Sequence, residues 1–154
     1  MIEFYLATTE HDYASAKLLF EEYAISININ LDFQHFDEEL EQLKNMYALP
    51  VGGIILAKQE DNIIGCVAIR KITNEIGELK RMFIKPEHQH KGIGKDLLSE
   101  AIQLAKKCNY SILKLDTLNY MLPAITLYKK IGFYETPAYY HNPIETAMYF
   151  ELVL

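Results

Sequence analysis

One segment constrains this chain more than any other: Phe83-Ile84-Lys85-Pro86-Glu87-His88-Gln89-His90-Lys91-Gly92-Ile93-Gly94-Lys95-Asp96-Leu97-Leu98. A strand ends at a proline, a short polar loop follows, two glycines appear, and a helix begins. The first turn of a helix leaves four N–H groups without partners, and the macrodipole places partial positive charge there. Glycines let those N–H groups approach an anion without side-chain obstruction, and Lys91 and Lys95 add charge. The segment therefore predicts a phosphate or pyrophosphate site inside a strand–helix unit.

Two phosphate motifs fail on spacing. A P-loop needs a glycine five residues before Gly94 and a Ser or Thr after Lys95, but Gln89 and Asp96 stand there. A dinucleotide fingerprint needs a third small residue, but Leu97 occupies that place.

The rest of the chain is consistent with one domain over residues 1–154. Residues 2–7 read as a strand. Thr9-Glu10-His11-Asp12 reads as a capping box opening a helix to about Ala24, with Tyr13, Ala16, Phe20 and Tyr23 on its stripe. Residues 25–34 read as irregular, and Asp37 as the cap of a second helix carrying Leu40, Leu43 and Met46. A hairpin follows (54–57 and 63–72), then a strand at 79–84. Lys95–Cys108 is a strongly amphipathic helix. A strand at 111–115, a helix at 123–131 stopped by Gly132, and strands at 133–135 and 147–152 complete the order β-α-α-β-β-β-α-β-α-β-β. Hairpins interleaved with strand–helix–strand crossovers imply an α/β (α+β) mixed sheet, mostly antiparallel, of six or seven strands with about four helices.

The Q-x-x-G-x-G pattern of Gln89, Gly92 and Gly94 resembles the acyl-CoA-binding motif of the GNAT superfamily of N-acetyltransferases. Gly77-Glu78-Leu79-Lys80-Arg81-Met82-Phe83-Ile84 looks like that family's fourth strand. Ala124-Ile125-Thr126-Leu127-Tyr128-Lys129-Lys130-Ile131-Gly132-Phe133 looks like its A-I-x-L-Y-x-x-x-G-F segment. Leu115-Asp116-Thr117-Leu118, Tyr139 to Ile144 and Tyr149-Phe150-Glu151-Leu152 look like a bacterial subgroup whose acceptors are poorly defined. One departure stands out: the family often has Asn where this chain has Met121, and Asn119 is displaced by two.

The resemblance implies a GNAT-like fold and transfer of an acetyl group from acetyl-CoA to a primary amine in a ternary complex. A non-catalytic acyl-CoA-binding module and a protein amine as acceptor are the alternatives. Glu78 is the implied general base, and Tyr128 the implied acid for the departing thiolate. The backbone of Met82, Phe83 and Ile84 is expected along the pantetheine arm. Gln89, His90, Lys91, Gly92, Ile93, Gly94 and Lys95 are expected around the pyrophosphate. The acceptor is expected between residues 25–34 and the Tyr139–Ile144 loop, with Tyr139, Tyr140 and His141 as lining candidates.

The remaining expectations are negative or open. The net charge of −6 argues against nucleic acid and suits a cationic acceptor. No apolar run is long enough for a membrane span. Met1 to Tyr5 lacks the pattern of a secretory signal, so a cytoplasmic location is expected. Cys66 and Cys108 read as buried thiols, and no His/Cys spacing suggests a metal. A homodimer is compatible with all of this.

Overall fold

A computed structural model describes residues 1–154. Seven strands form one sheet in the order β1-β2-β3-β4-β5-β7-β6. They are β1 (Ile2–Leu6), β2 (Gly53–Gln59), β3 (Asn62–Lys71), β4 (Ile76–Ile84), β5 (Ile112–Leu118), β6 (Tyr134–Thr136) and β7 (Ala147–Val153). Every neighbouring pair is antiparallel except β4 and β5, which run parallel. The helices are α1 (Glu10–Ile27), α2 (Phe36–Glu41), α3 (Leu43–Met46), α4 (Ile93–Lys107) and α5 (Leu122–Ile131).

The capping box expected at Thr9 is present. The Thr9 Oγ1 accepts from the Asp12 N–H at 3.0 Å, and the Asp12 carboxylate accepts from the Thr9 N–H at 3.1 Å. Ala16 and Phe20 are fully buried on the predicted stripe. The helix runs on to Ile27, so part of the segment expected to be irregular is its last turn. Residues 32–34 form a short 3-10 turn.

The second helix differs from expectation. It starts at Phe36 behind a left-handed His35, with Asp37 inside its first turn and no side-chain cap. At Gln42 it breaks into two short pieces. Glu39 and Leu43, four residues apart, both point inward, and each is buried.

One core cluster lies between the sheet and helices α4 and α5; Leu97, Leu98 and Ala101 of α4 are fully buried in it. The second lies under α1 and α3, around Phe20, Tyr47, Ile54 and Leu56.

Two irregularities in β4 shape the site. First, β4 pairs with β5 only over Ile76–Glu78, opposite Ile112–Lys114. From Leu79 onward the two strands diverge, and that edge of β4 has no ladder partner. Second, β4 carries an extra residue: Cys66 faces Phe83 and Ala68 faces Lys80, so three steps in β4 match two in β3. Arg81, inside this bulge, has φ of +56°, a left-handed conformation few non-glycine residues adopt. Strand β4 also begins three residues earlier than the hydrophobic run suggests, so Glu78 lies inside the strand.

Candidate active site

Three hollows follow the open edge of β4 in sequence. The first is a cavity of about 560 Å³ whose lining includes Gln34, Arg70, Glu78, Lys80, Tyr139 and Tyr140. The second is a waist of about 70 Å³ bounded by Gln34, Lys80, Met82, Asp116, Met121 and Tyr128, among others. The third is a groove of about 450 Å³ between β4, the start of α4 and the start of α5. Gln34 and Lys80 border both the cavity and the waist, while Met82, Met121 and Ala124 border both the waist and the groove. The three therefore form one path.

The groove contains most of the residues expected around a cofactor. Met82, Phe83, Ile84, Gln89, His90, Gly92, Gly94 and Lys95 all line it. The Phe83 ring itself turns to the other face, edge-on to Tyr23 at 6.3 Å, so its backbone is what the groove can use. Gln89 folds back and donates from Nε2 to the Ile84 carbonyl at 2.9 Å, tying the loop to the end of β4. Ile93 is buried in the core, and Lys91 is exposed beside the groove; neither side chain lines it.

Gly92 is the N-cap of α4, with φ of +80° and no side-chain cap. Nothing lies within 4 Å of where its Cβ would stand. The glycine is thus needed for its conformation and for ligand approach, not to avoid a clash with the protein. A Cβ on Gly94 would meet Ile84, Leu127 and Met82 at 3.5–3.8 Å, ordinary contact in the groove wall. The first-turn N–H groups of α4 face this groove and can hold an anion.

Met121 resolves the departure noted above. It precedes α5 and borders both waist and groove, whereas Asn119 is exposed and outside both. Its sulfur accepts a hydrogen bond from the Thr117 hydroxyl at 3.6 Å. The side-chain amide common in the family is therefore replaced here by a thioether.

Tyr128 projects from α5 into the waist, its ring packed against Phe133 and Phe150 at 5.6 and 6.3 Å. Burial, then the negative charges nearest it, push its hydroxyl well above the usual tyrosine range. It holds its proton at every physiological pH.

Glu78 is buried in the cavity wall, inside β4 and not ahead of it. Its Oε1 accepts from Arg70 Nε at 2.7 Å, and its Oε2 accepts from the Tyr139 hydroxyl at 2.5 Å. Burial, then the Glu78 charge, pushes the Tyr139 hydroxyl far above its ordinary value, so it remains a neutral donor. Tyr140 donates to Asp116 at 2.7 Å and accepts from Gln34 Nε2 at 3.1 Å. Gln34, Tyr139 and Tyr140 thus line the cavity as expected, while His141 is exposed and outside its lining.

The floor beneath the cavity holds a pair the sequence does not single out. Arg81 donates to both oxygens of Glu39, at 3.0 Å from Nε and 2.8 Å from Nη2. Tyr47 donates to Glu39 at 3.0 Å, and the guanidinium lies over Phe36 at 5.1 Å. Burial raises the Glu39 carboxyl, but the Arg81 hydrogen bonds and charge outweigh it, and the group lies below its usual range. The one sequence hint was polar alternation in Glu78-Leu79-Lys80-Arg81, too many charges for an ordinary core strand.

A mixed sheet splayed beside a bare helix start, with a tyrosine in the gap, is the arrangement that the resemblance to an acyltransferase implies. The comparisons agree. The model of the acetyltransferase (GNAT) family matches residues 7–133. An uncharacterized N-acetyltransferase of Schizosaccharomyces pombe is 38% identical over 138 residues, 88% of this chain and 85% of that protein. One from Dictyostelium discoideum is 29% identical, covering 82% and 87%. Among solved structures, an acetyltransferase of Streptococcus agalactiae superposes with a TM-score of 0.79 at 19% identity, covering 99% of this chain and 98% of that one. A GNAT family acetyltransferase of Elizabethkingia anophelis with acetyl-CoA bound gives 0.69 at 23%, with the same coverage. The chain belongs to the GNAT acetyltransferase family.

Proposed function

We propose that the chain transfers an acetyl group from acetyl-CoA to the primary amine of a small molecule, by direct attack within a ternary complex. The observation that carries this reading is the continuous path of groove, waist and cavity along the open edge of β4. The groove is the site for acetyl-CoA, which supplies an activated acetyl thioester. The backbone of Met82, Phe83 and Ile84 runs beside the pantetheine arm, and one of its N–H groups can polarise the thioester carbonyl. Gln89 to Lys95 surround the pyrophosphate. The structural relative with acetyl-CoA bound supports this choice of ligand.

The cavity is the acceptor site, and its volume of about 560 Å³ suits a small molecule better than a polypeptide. Glu78 is the base. Both its oxygens already accept hydrogen bonds, so it takes the ammonium proton through the Tyr139 hydroxyl, which passes its own proton on to Glu78. The amine nitrogen then bonds to the acetyl carbon as the carbon–sulfur bond breaks. Tyr128 gives its proton to the departing thiolate, and the excess proton on the newly acylated nitrogen passes back to the Tyr128 oxygen as the neutral amide forms. Its raised pKa makes it a reluctant acid in water, but the same dry waist raises the basicity of the thiolate beside it.

An amine and peptide panel with acetyl-CoA, read by free-thiol release, tests the proposal. Turnover of small amines above peptides is expected. Peptide turnover alone would move the acceptor to proteins, and silence across a broad panel with CoA still binding would remove the transfer reaction.

A further inference from the structure

The proposed reaction leaves one set of charges unused. Three cations gather at the acceptor cavity: Arg70, Lys80 and Arg81. Arg81 is closed off, with both oxygens of Glu39 in its fork. Only Glu78 among the buried carboxylates remains for the other two. Arg70 reaches it through Nε, and no hydrogen bond is made by its two Nη groups. Lys80 Nζ stands 4.0 Å from Glu78 and 3.4 Å from the Gln34 amide oxygen, both long, although its side chain is only 5% exposed. Tyr139 occupies the other oxygen of Glu78. Glu38 also lines the cavity but is exposed at the surface. Two positive charges therefore share one carboxylate: Lys80 is buried, and Arg70 is 34% exposed toward the cavity mouth.

That imbalance has an energetic meaning. A buried cation is costly unless a counter-charge and hydrogen bonds compensate it. Burial pulls the Lys80 ammonium below its ordinary pKa; Glu78 opposes this, while Arg81 and Arg70 add to it. What the wall lacks is one negative charge with two acceptor oxygens, the chemistry a guanidinium fork recognises.

We propose that Arg70 and Lys80 form an anion subsite, and that the acceptor is a small amine carrying its own carboxylate, of the amino-acid class. This reverses the expectation of a purely cationic acceptor drawn from the net charge. It rests on the acetyl-transfer reading, and it also explains how the amine is aimed. Lys80 and Gln34 border both cavity and waist, so a carboxylate held at Lys80 leaves an adjacent amine at the waist, toward Tyr128.

The test uses matched pairs: leucine, methionine and phenylalanine, each against its carboxamide. Each is assayed at one pH with acetyl-CoA by thiol release, and titrated calorimetrically into protein saturated with CoA. The amide's amine is the easier of the two to deprotonate, so easier deprotonation cannot explain a preference for the acid. We expect kcat/KM to favour the acid by about tenfold or more, the strength of a charge-assisted contact. Arg70→Gln and Lys80→Met should each draw the acid-to-amide ratio toward one, whatever they do to absolute rates. If either variant fails to fold, the wild-type ratio still decides. Amides turned over as well as acids would overturn the subsite and leave the transferase standing. Acids that bind the CoA-loaded protein without turnover would support the subsite, and the transfer reading falls if the broad amine panel is silent as well. Acids that neither bind nor react would overturn the subsite and leave the transferase to be decided by the amine panel.

Discussion

The groove and the cavity lie on either side of one strand edge and are built by opposite means. The groove is made from two short stretches, 82–95 and 121–127, and much of its polar chemistry is backbone: strand amides from Met82 to Ile84 and the bare start of α4 behind Gly92. The cavity is made from side chains that converge from β3, β4, the segment after α1 and the loop before β7, and its chemistry is charge. A backbone site holds whatever shares a common handle, whereas a side-chain site distinguishes one acceptor from another. The waist between them, with Tyr128, belongs to neither and serves both.

The largest effect should follow from unpairing the cavity floor. Glu39→Ala leaves Arg81 buried without its carboxylate, which should cost about 3–5 kcal/mol and lower Tm by roughly 10 °C. Calorimetric unfolding checks this. A loss below 1 kcal/mol would mean that the floor is not a structural support. The same pair sets an acid limb. The folded pKa of Glu39 lies below its unfolded value, so its contribution is present above about pH 4.3 and is lost as pH falls through the folded value. Glu39→Gln should flatten that limb.

Next in size is the waist. Tyr128→Phe should lower kcat about 100-fold while changing KM for acetyl-CoA little, the mark of a group acting in proton transfer. Equal losses on both would place Tyr128 in binding instead. On the groove side, Gly92→Asp should weaken CoA binding about tenfold, by left-handed strain and by charge against the pyrophosphate, with acceptor KM unchanged. Calorimetry with CoA measures it, and a matching rise in acceptor KM would blur the division between the two sites. The smallest effect is a remote control. Thr9→Ala removes the α1 cap and should cost about 1 kcal/mol of stability, with kinetic constants unaltered.

The same contrast explains what could be read in advance. Gln89 to Gly94 was legible because a backbone site leaves its signature in adjacent residues. Tyr128 was legible because it stands in a fixed place between Leu127 and Gly132. The cavity was not. Arg70, Lys80 and Glu39 lie far apart in the chain, and only the folded sheet brings them together. Glu39 in particular was hidden because the apolar stripe reads through Leu40, Leu43 and Met46, while the buried pair is Glu39 and Leu43. Glu78 was found as a residue but fell just outside the expected strand, because the strand starts earlier than its hydrophobic run.

The extra residue at Arg81 acts as a phase slip. Without it, the two-residue alternation of a strand would put Glu78, Lys80, Met82 and Ile84 on one face. With it, Lys80 shares a face with Phe83, while Met82 and Ile84 turn toward the core under α4. One strand thus reads out in two frames, the first facing the cavity and the second the groove. A substitution at position 80 therefore alters the cavity wall and leaves the groove-side frame of 82 and 84 in register.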